Sequence, residues 1–171
     1  MRRRVEGAFA DRPGGPRKMD RERERGKAMV QRVTHNDRLL AIIVPRDFGE
    51  PGVNFITADD ATLQLGLLNH PKSKIIQPHA HKVRPREVTV TQEVLFLRKG
   101  KLRVDFYDDD ETYLESRILE QGDTILLVSG GHGFEVLEDV DIIEVKTGPY
   151  LGEDEKKRFW PARQAPLKIT G

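Results

Sequence analysis

The chain has 171 residues, of which 37% are hydrophobic and 33% are charged, and it contains no cysteine. This length suits one domain with extensions, and no segment approaches the ~20 consecutive apolar residues of a transmembrane helix. The absence of cysteine excludes disulfide scaffolds, thiolate zinc sites, iron–sulfur clusters and cysteine nucleophiles. No apolar h-region of a secretory signal follows Arg2–Arg4, and we therefore expect a cytoplasmic protein that does not associate with a membrane.

Charge is unevenly distributed along the chain. Residues 1–28 contain ten Lys and Arg against five Asp and Glu, a net charge of +5, which leaves −4 for residues 29–171 out of the total of +1. The basic region also contains Pro13–Pro16 and few large apolar residues, so we expect residues 1–35 to form a disordered arm. The acidic remainder offers no basic surface to nucleic acid, and we predict no nucleic-acid partner.

Downstream of the arm, short apolar or alternating runs follow one another and are separated by turn residues. No run shows a sustained 3.6-residue period, so the pattern predicts an all-β antiparallel sandwich or barrel over residues 36–150. Arg98–Lys101 is a predicted hairpin turn around Gly100. Residues 151–171 form a predicted tail with a short helix. The predicted strands are Leu39–Val44, Asn54–Thr57, Thr62–Leu68, Lys74–His81, Val88–Phe96, Leu102–Tyr107, Tyr113–Leu119, Asp123–Val128, Phe134–Leu137 and Asp141–Lys146.

Four residues in these strands have the side chains of a metal site. His79 and His81 are two positions apart, so on a strand they would point to the same face, with Cα atoms ~7 Å apart. Glu93 lies beside apolar residues, where a carboxylate is costly unless it is paired or bound to a metal. His132 follows two glycines at a turn. Three imidazoles and one carboxylate suit a divalent first-row metal and leave coordination positions open for a substrate.

With their spacing, these residues resemble the two motifs of the cupin family. The first motif, His-x-His followed by Glu, six residues and Gly, matches His79 and His81, Glu93 and Gly100, although eleven residues separate His81 from Glu93 where the family has three or four. The second motif, Gly-Asp, an apolar strand, a glycine turn and His, matches 122–132 without the family's proline. The resemblance implies a double-stranded β-helix (jelly roll). It also implies that the two histidines, Glu93 and His132 bind one divalent transition metal: Mn, Fe, Ni, Co or Zn.

The resemblance leaves three functions open. The first is a metal-dependent enzyme, an isomerase, epimerase or dioxygenase acting on a polar carbonyl, hydroxyacid or sugar-like small molecule. The second is a metal-independent enzyme similar to nucleotide-sugar ketoisomerases of cupin type, which have a His-Ala-His-Lys stretch like that of residues 79–82. The third is a module that binds a metal or a sugar without turnover. Fold alone does not choose among them.

Further residues near the motifs are candidates for substrate contacts. Glu144 and Lys146 share one face of the last strand, where Glu144 would be a catalytic base and Lys146 would bind an anionic group, unless that face meets solvent. Lys82 and Arg86 would bind a phosphate or carboxylate at the rim of the site, unless they belong to a solvated loop. The alternating Val88–Thr91 run is a candidate edge for a homodimer.

Overall fold

The computed structural model describes residues 28–150, 152–160 and 166–170, and the greater part of the predicted arm lies outside these ranges. The described residues form eight strands and one short 3₁₀ helix, so the prediction of an all-β protein is confirmed. The 3₁₀ helix, Gly152–Glu155, lies in the predicted tail, and no described helix is long and apolar enough to cross a membrane. The strands are β1 (Gln31–His35), β2 (Arg38–Val44), β3 (Gly52–Phe55), β4 (Gly66–Asn69), β5 (Glu93–Tyr107), β6 (Tyr113–Glu120), β7 (Thr124–Leu127) and β8 (Gly131–Lys146).

Six strands form one strongly curled antiparallel sheet, a half-barrel, in the order β1-β2-β7-β5-β6 with β8 on the other side of β5. The long strand β5 changes neighbours along its length. Its first part, 93–96, pairs with β7 and its second part, 101–107, pairs with β6, while β8 pairs with both parts. Strands β3 and β4 form a separate two-stranded sheet. The β5–β8 ribbon therefore connects the two parts of the half-barrel.

The core lies on the concave face of the curled sheet. Leu102, Val104 and Phe106 alternate along β5 and are at most 2% exposed, as the period of two predicts for one face of a strand. Residues of the other strands complete the cluster: Val33, Leu40, Ala41, Ile43, Leu95, Leu97, Leu119, Ile125 and Leu127. These side chains lost their contact with water on folding, which is the main force holding the sheet in its curl.

The predicted hairpin turn at Arg98–Lys101 is wrong, because β5 continues through it. Gly100 has a φ of +87°, and a Cβ atom there would lie 2.1 Å from the carbonyl oxygen of Asp139 on β8. The register of β5 against β8 shifts on both sides of this glycine. A glycine inside a strand marks a bulge or a close backbone approach as readily as a turn, and here it allows the ribbon to bend.

The start of the domain and the course of the tail also differ from the predicted ones. Strand β1 begins at Gln31, five residues before the predicted start of the domain, because it pairs with β2 and adds to the sheet edge. At the other end, part of the tail lies along β6. The Ser116 amide donates to the carbonyl of Lys168 at 2.8 Å, and the Thr170 amide donates to the carbonyl of Ser116 at 3.1 Å.

Residues 71–91 contain no strand and are exposed throughout. The predicted strand Lys74–His81 is therefore wrong, and so is the beginning of the predicted strand Val88–Phe96, since β5 starts only at Glu93. The alternating apolar residues of this segment have no strand beside them among the described residues. Without a neighbour, local strand preference alone does not produce a strand.

Candidate functional site

Glu93 and His132 meet on the concave face of the half-barrel. Glu93 is the first residue of β5 and is 9% exposed, and His132 is the second residue of β8. His132 Nε2 lies 3.3 Å from Glu93 Oε2. The strands place these side chains at opposite ends of the ribbon, so it is the curl of the ribbon that brings them together.

The contact sets the ionisation of the carboxyl group. The hydrogen bond from His132 holds the pKa of Glu93 below its ordinary value of 4.5, although burial works in the opposite direction. The nearby charges of Lys156 and Lys146 lower this pKa further. The site therefore contains an ionised carboxylate near neutral pH, in a place from which water is largely removed.

Lys146 stands beside Glu93, since the two residues are Cα partners in the β5–β8 pairing. Its Nζ lies 3.5 Å from Glu155 Oε2 and 5.0 Å from the centre of the Tyr150 ring. Glu155 also accepts a hydrogen bond from the Thr91 hydroxyl at 2.8 Å. The 3₁₀ helix thus ties the end of β8 to the end of residues 71–91. Glu155 is a site residue that the sequence did not single out, because nothing local distinguishes it from the other charges of the tail.

The two histidines of the first motif lie together, but apart from Glu93 and His132. Their ring centres are 5.4 Å apart within the exposed residues 71–91, and His79 Nδ1 is 3.0 Å from the carbonyl oxygen of Gln77. Across the described part of the chain, no group of three or more metal-binding side chains is assembled. The four predicted ligands therefore lie in two separate pairs in this structure.

The predicted substrate-binding residues have different surroundings. Glu144 is exposed, opposite Leu95 in the β5–β8 register, and therefore on the same side of the strand as Lys146. Lys82 and Arg86 lie within the exposed residues 71–91. Neither of these two makes an ion pair with another residue of the described ranges. Of the predicted substrate contacts, Lys146 alone among the described residues lies beside Glu93 in this structure.

Metal chemistry can be tested against the geometry of Glu93 and His132. Ligand atoms at ~2.1 Å from an ion, with angles of roughly 90–110° between them, are about 3.0–3.4 Å apart. The 3.3 Å between Nε2 and Oε2 lies in this range. A nitrogen and a carboxylate oxygen are ligands that Mn, Fe, Co, Ni and Zn all accept. These two residues thus fit half of a four-ligand site.

An exposed aromatic ring lies next to this pair. The ring of Phe134 lies 5.3 Å from that of His132, and Phe134 is 46% exposed. On the described surface there is also an open cavity of 490 Å³ beside Gln92, but neither Glu93 nor His132 lines it. A small molecule at the site would therefore lie on the concave face near Phe134.

Neither a protein family, nor a curated protein, nor a solved structure matches this chain. The resemblance to cupins therefore depends on the two motifs alone. Of the motif histidines and carboxylate, Glu93 and His132 are the two that meet across the fold. What the protein does has to follow from the chemistry of these side chains.

Proposed function

We propose that the protein is a metal-dependent enzyme of cupin type, an isomerase, epimerase or dioxygenase that acts on a polar carbonyl, hydroxyacid or sugar-like small molecule. In this proposal the half-barrel is part of a double-stranded β-helix. The observation that supports it is the 3.3 Å approach of His132 Nε2 to Glu93 Oε2, from residues far apart in the sequence. A jelly roll brings such residues together on its concave face, where a ligand is enclosed.

Glu93 and His132 would hold the ion, and His79 and His81 would complete the set when residues 71–91 cover the concave face. His79 Nδ1 lies 3.0 Å from the carbonyl oxygen of Gln77. This contact suits the role of a ligand, because a metal-binding imidazole commonly donates its other N–H to a backbone carbonyl. A bound divalent ion would supply Lewis acidity to a substrate oxygen or, in the case of iron, a site for O₂. Glu93 is ready for this role because its lowered pKa keeps it ionised.

The remaining chemistry belongs to charged side chains beside the pair. Lys146 would bind an anionic group of the substrate, with its ammonium oriented by Glu155 and Tyr150. Glu144 is two residues away on the same side of β8 and is exposed, so it is placed to accept a proton from a bound substrate. Phe134 would contact the apolar part of the molecule.

A second function is favoured by the same contact. A carboxylate that holds an imidazole orients it and stabilises its charged form, which is the arrangement of a general acid–base pair. Glu93 and His132 would then transfer protons without a metal, whereas the nucleotide-sugar ketoisomerases that the His79–Lys82 stretch resembles are taken to use the histidines of that stretch. In that case the metal-free protein binds a nucleotide sugar.

Metal content distinguishes these functions. The full chain is loaded in turn with Mn, Fe, Co, Ni and Zn, desalted, and analysed by mass spectrometry of the metal. We expect about one ion per chain of one of these metals, and its loss in His132→Ala and in Glu93→Gln. His70→Ala is the matched control, since it removes a loop histidine outside the motifs. Binding that survives His132→Ala places the metal elsewhere and contradicts the site.

The second function has its own outcome. If the wild-type chain retains none of the five metals, the metal-dependent proposal is wrong. Titration of that chain with nucleotide sugars then tests the acid–base pair, because binding should weaken in His132→Ala and stay unchanged in His70→Ala. A chain that binds neither metals nor nucleotide sugars contradicts both functions.

A further inference from the structure

Two exposed surfaces of this chain complement each other. We propose that two copies form a dimer in which residues 71–91 of each copy dock against the edge strand β8 of the other. The contact is made twice, because each copy has one segment and one edge. It does not depend on the proposed metal site, since a metal-free protein would associate in the same way.

The first surface is the outer edge of β8. This strand has sixteen residues and pairs only with β5 among the described strands, so its other edge has no backbone partner there. An unprotected edge of this length is a template for pairing with another chain. Its apolar side chains are also 41–57% exposed: Phe134, Val136, Leu137, Ile143 and Val145. A long unpaired edge flanked by exposed apolar side chains indicates a surface that another strand covers.

The second surface is the segment of residues 71–91. Every residue of it is exposed, and it has large apolar side chains that are 43–101% exposed: Ile75, Ile76, Val83, Val88 and Val90. The run 88–91 alternates Val and Thr, a composition that favours a strand. Before residue 89 the contacts of this segment are internal ones, such as that between His79 and His81. The segment thus has the composition of a strand and lacks a neighbour to pair with.

The net charges of β8 and of residues 71–91 favour contact between the two surfaces over contact of either surface with its own copy. Strand β8 contains five Asp and Glu and one Lys, a net charge of −4, whereas residues 71–91 contain five Lys and Arg and one Glu, a net charge of +4. Pairing β8 with its own copy would oppose like charges across the strands. Pairing it with the segment opposes unlike charges. Both surfaces have charged side chains that make no ion pair with another described residue. They are Glu138, Asp139 and Glu144 on β8, and Lys82, Arg84 and Arg86 in the segment.

The segment has the reach for this contact. It is anchored at Gln92, whose carbonyl accepts a hydrogen bond from the Thr147 amide at 3.0 Å, just beyond the end of β8. Twenty-one residues extend up to ~70 Å, so the middle of the segment can reach well beyond its own body. One end of the segment lies beside the end of its own β8, but in this structure the segment does not cover the outer edge of that strand. Reciprocal docking onto the other copy covers both surfaces and closes the assembly as a two-fold dimer.

Two charge-reversed variants test the docking. The segment variant is Lys82→Glu with Arg84→Glu and Arg86→Glu, and the edge variant is Glu138→Lys with Asp139→Lys and Glu144→Lys. Asp59→Lys with Asp60→Lys is the control, since both residues are exposed and belong neither to residues 71–91 nor to β8. Mass in solution is measured by light scattering after gel filtration, at concentrations from 1 to about 100 µM.

We expect a dimer for the wild type and for the control, and at least a tenfold weaker association for each charge-reversed variant alone. Mixing the two variants should restore a dimer, because both contacts of the mixed pair again join opposite charges. A monomeric wild type over the whole range contradicts the proposal, and so do variants that remain dimers. If the edge variant does not fold by circular dichroism, Val88→Glu with Val90→Glu takes its place, because it removes two apolar contacts and adds like charge opposite β8, and it should also yield monomers.

Two further outcomes identify a different occupant of the edge. The mixture of the two variants could stay monomeric while a chain that carries both sets of changes forms a dimer like the wild type. In that case the segment docks within its own chain and the proposal is wrong. The basic residues 1–27 are the other candidate. Their deletion should leave the dimer intact, and a monomer after this deletion alone overturns the proposal in favour of those residues.

Discussion

His132 Nε2 and Glu93 Oε2 lie 3.3 Å apart, although thirteen positions of β5 separate Glu93 from Phe106, the residue that pairs with His132. A straight strand of that length spans about 43 Å. The contact therefore measures how far the β5–β8 ribbon is curled. Any change that straightens the ribbon should separate the two side chains before it unfolds the sheet.

Gly100→Ala should be such a change. Gly100 has a positive φ, and a Cβ atom there would lie 2.1 Å from the Asp139 carbonyl oxygen, so the backbone has to move. We expect a loss of about 3 kcal/mol in the free energy of unfolding and loss of the proposed metal binding at Glu93 and His132. Denaturation in urea and metal content measure the two effects.

Gly49→Ala is the control for that change. The nearest atom to a Cβ at Gly49 is the Asn69 side-chain nitrogen at 3.9 Å, an ordinary contact, and we expect a change within about 0.5 kcal/mol. If Gly100→Ala is as stable as Gly49→Ala, the bend in β5 does not depend on this glycine.

The Glu93–His132 contact predicts how stability depends on pH. The pKa of Glu93 is lower in the folded protein than its ordinary value of 4.5. The contact therefore stabilises the fold above the pKa of the unfolded chain, and this contribution is lost as the pH falls through the folded-state pKa. Urea denaturation between pH 7 and pH 3 should show a smaller decrease for Glu93→Gln than for the wild type.

His132→Ala should flatten the same acid limb, because it removes the donor that lowers the pKa of Glu93. Combining the two substitutions should add little to either alone. Curves for Glu93→Gln that stay parallel to the wild type down to pH 3 contradict the contact.

A second buried carboxylate lies on the convex face of the ribbon. Asp105 is 8% exposed and accepts hydrogen bonds from Arg103 Nε at 2.8 Å and from the Ser116 hydroxyl at 2.5 Å. Tyr113 Oη lies 2.7 Å from the same hydroxyl and accepts a hydrogen bond from the Lys168 amide at 3.0 Å. Burial alone would raise the pKa of Asp105, but the bonds from Arg103 and Ser116 hold it below its ordinary value. This network joins β5, β6 and the C-terminal segment.

Asp105→Asn should lower the free energy of unfolding by about 3 kcal/mol, since it leaves the largely buried Arg103 with fewer acceptors. Ser116→Ala should lower it by about 1–2 kcal/mol. The matched control is Asp141→Asn, whose ion pair with Arg98 is half exposed and should contribute less than about 1 kcal/mol. Equal losses in Asp105→Asn and Asp141→Asn in urea denaturation would show that burial of the network adds nothing.

The sequence predicted the parts of the fold that have a strong local pattern. The predicted strand Leu102–Tyr107 is the second half of β5, where the alternating residues Leu102, Val104 and Phe106 are buried. Gly100 was taken for a turn because a glycine between charged residues has the same local pattern at a bulge as at a hairpin. Which it is depends on the backbone of Asp139, 39 residues later, and a local pattern cannot show this.

The candidate site divides in the same way. Glu93 and His132 were predicted as partners from their motifs, and the structure brings them together. His79 and His81 were expected on the predicted strand Lys74–His81, but a strand needs a neighbour, and no described strand lies beside residues 71–91.

If both proposals hold, the metal ligands come from two chains, because the segment with His79 and His81 docks on the β8 that contains the other copy's His132. His79→Ala with His81→Ala removes one half of the ligand set, and Glu93→Gln with His132→Ala removes the other half. Neither variant alone should bind the metal. A mixed dimer of the two has one complete site, so native mass spectrometry should show one ion per mixed dimer and none on either parent. Mixed dimers that form without metal, beside a wild type that binds it, would show that each chain completes its own site.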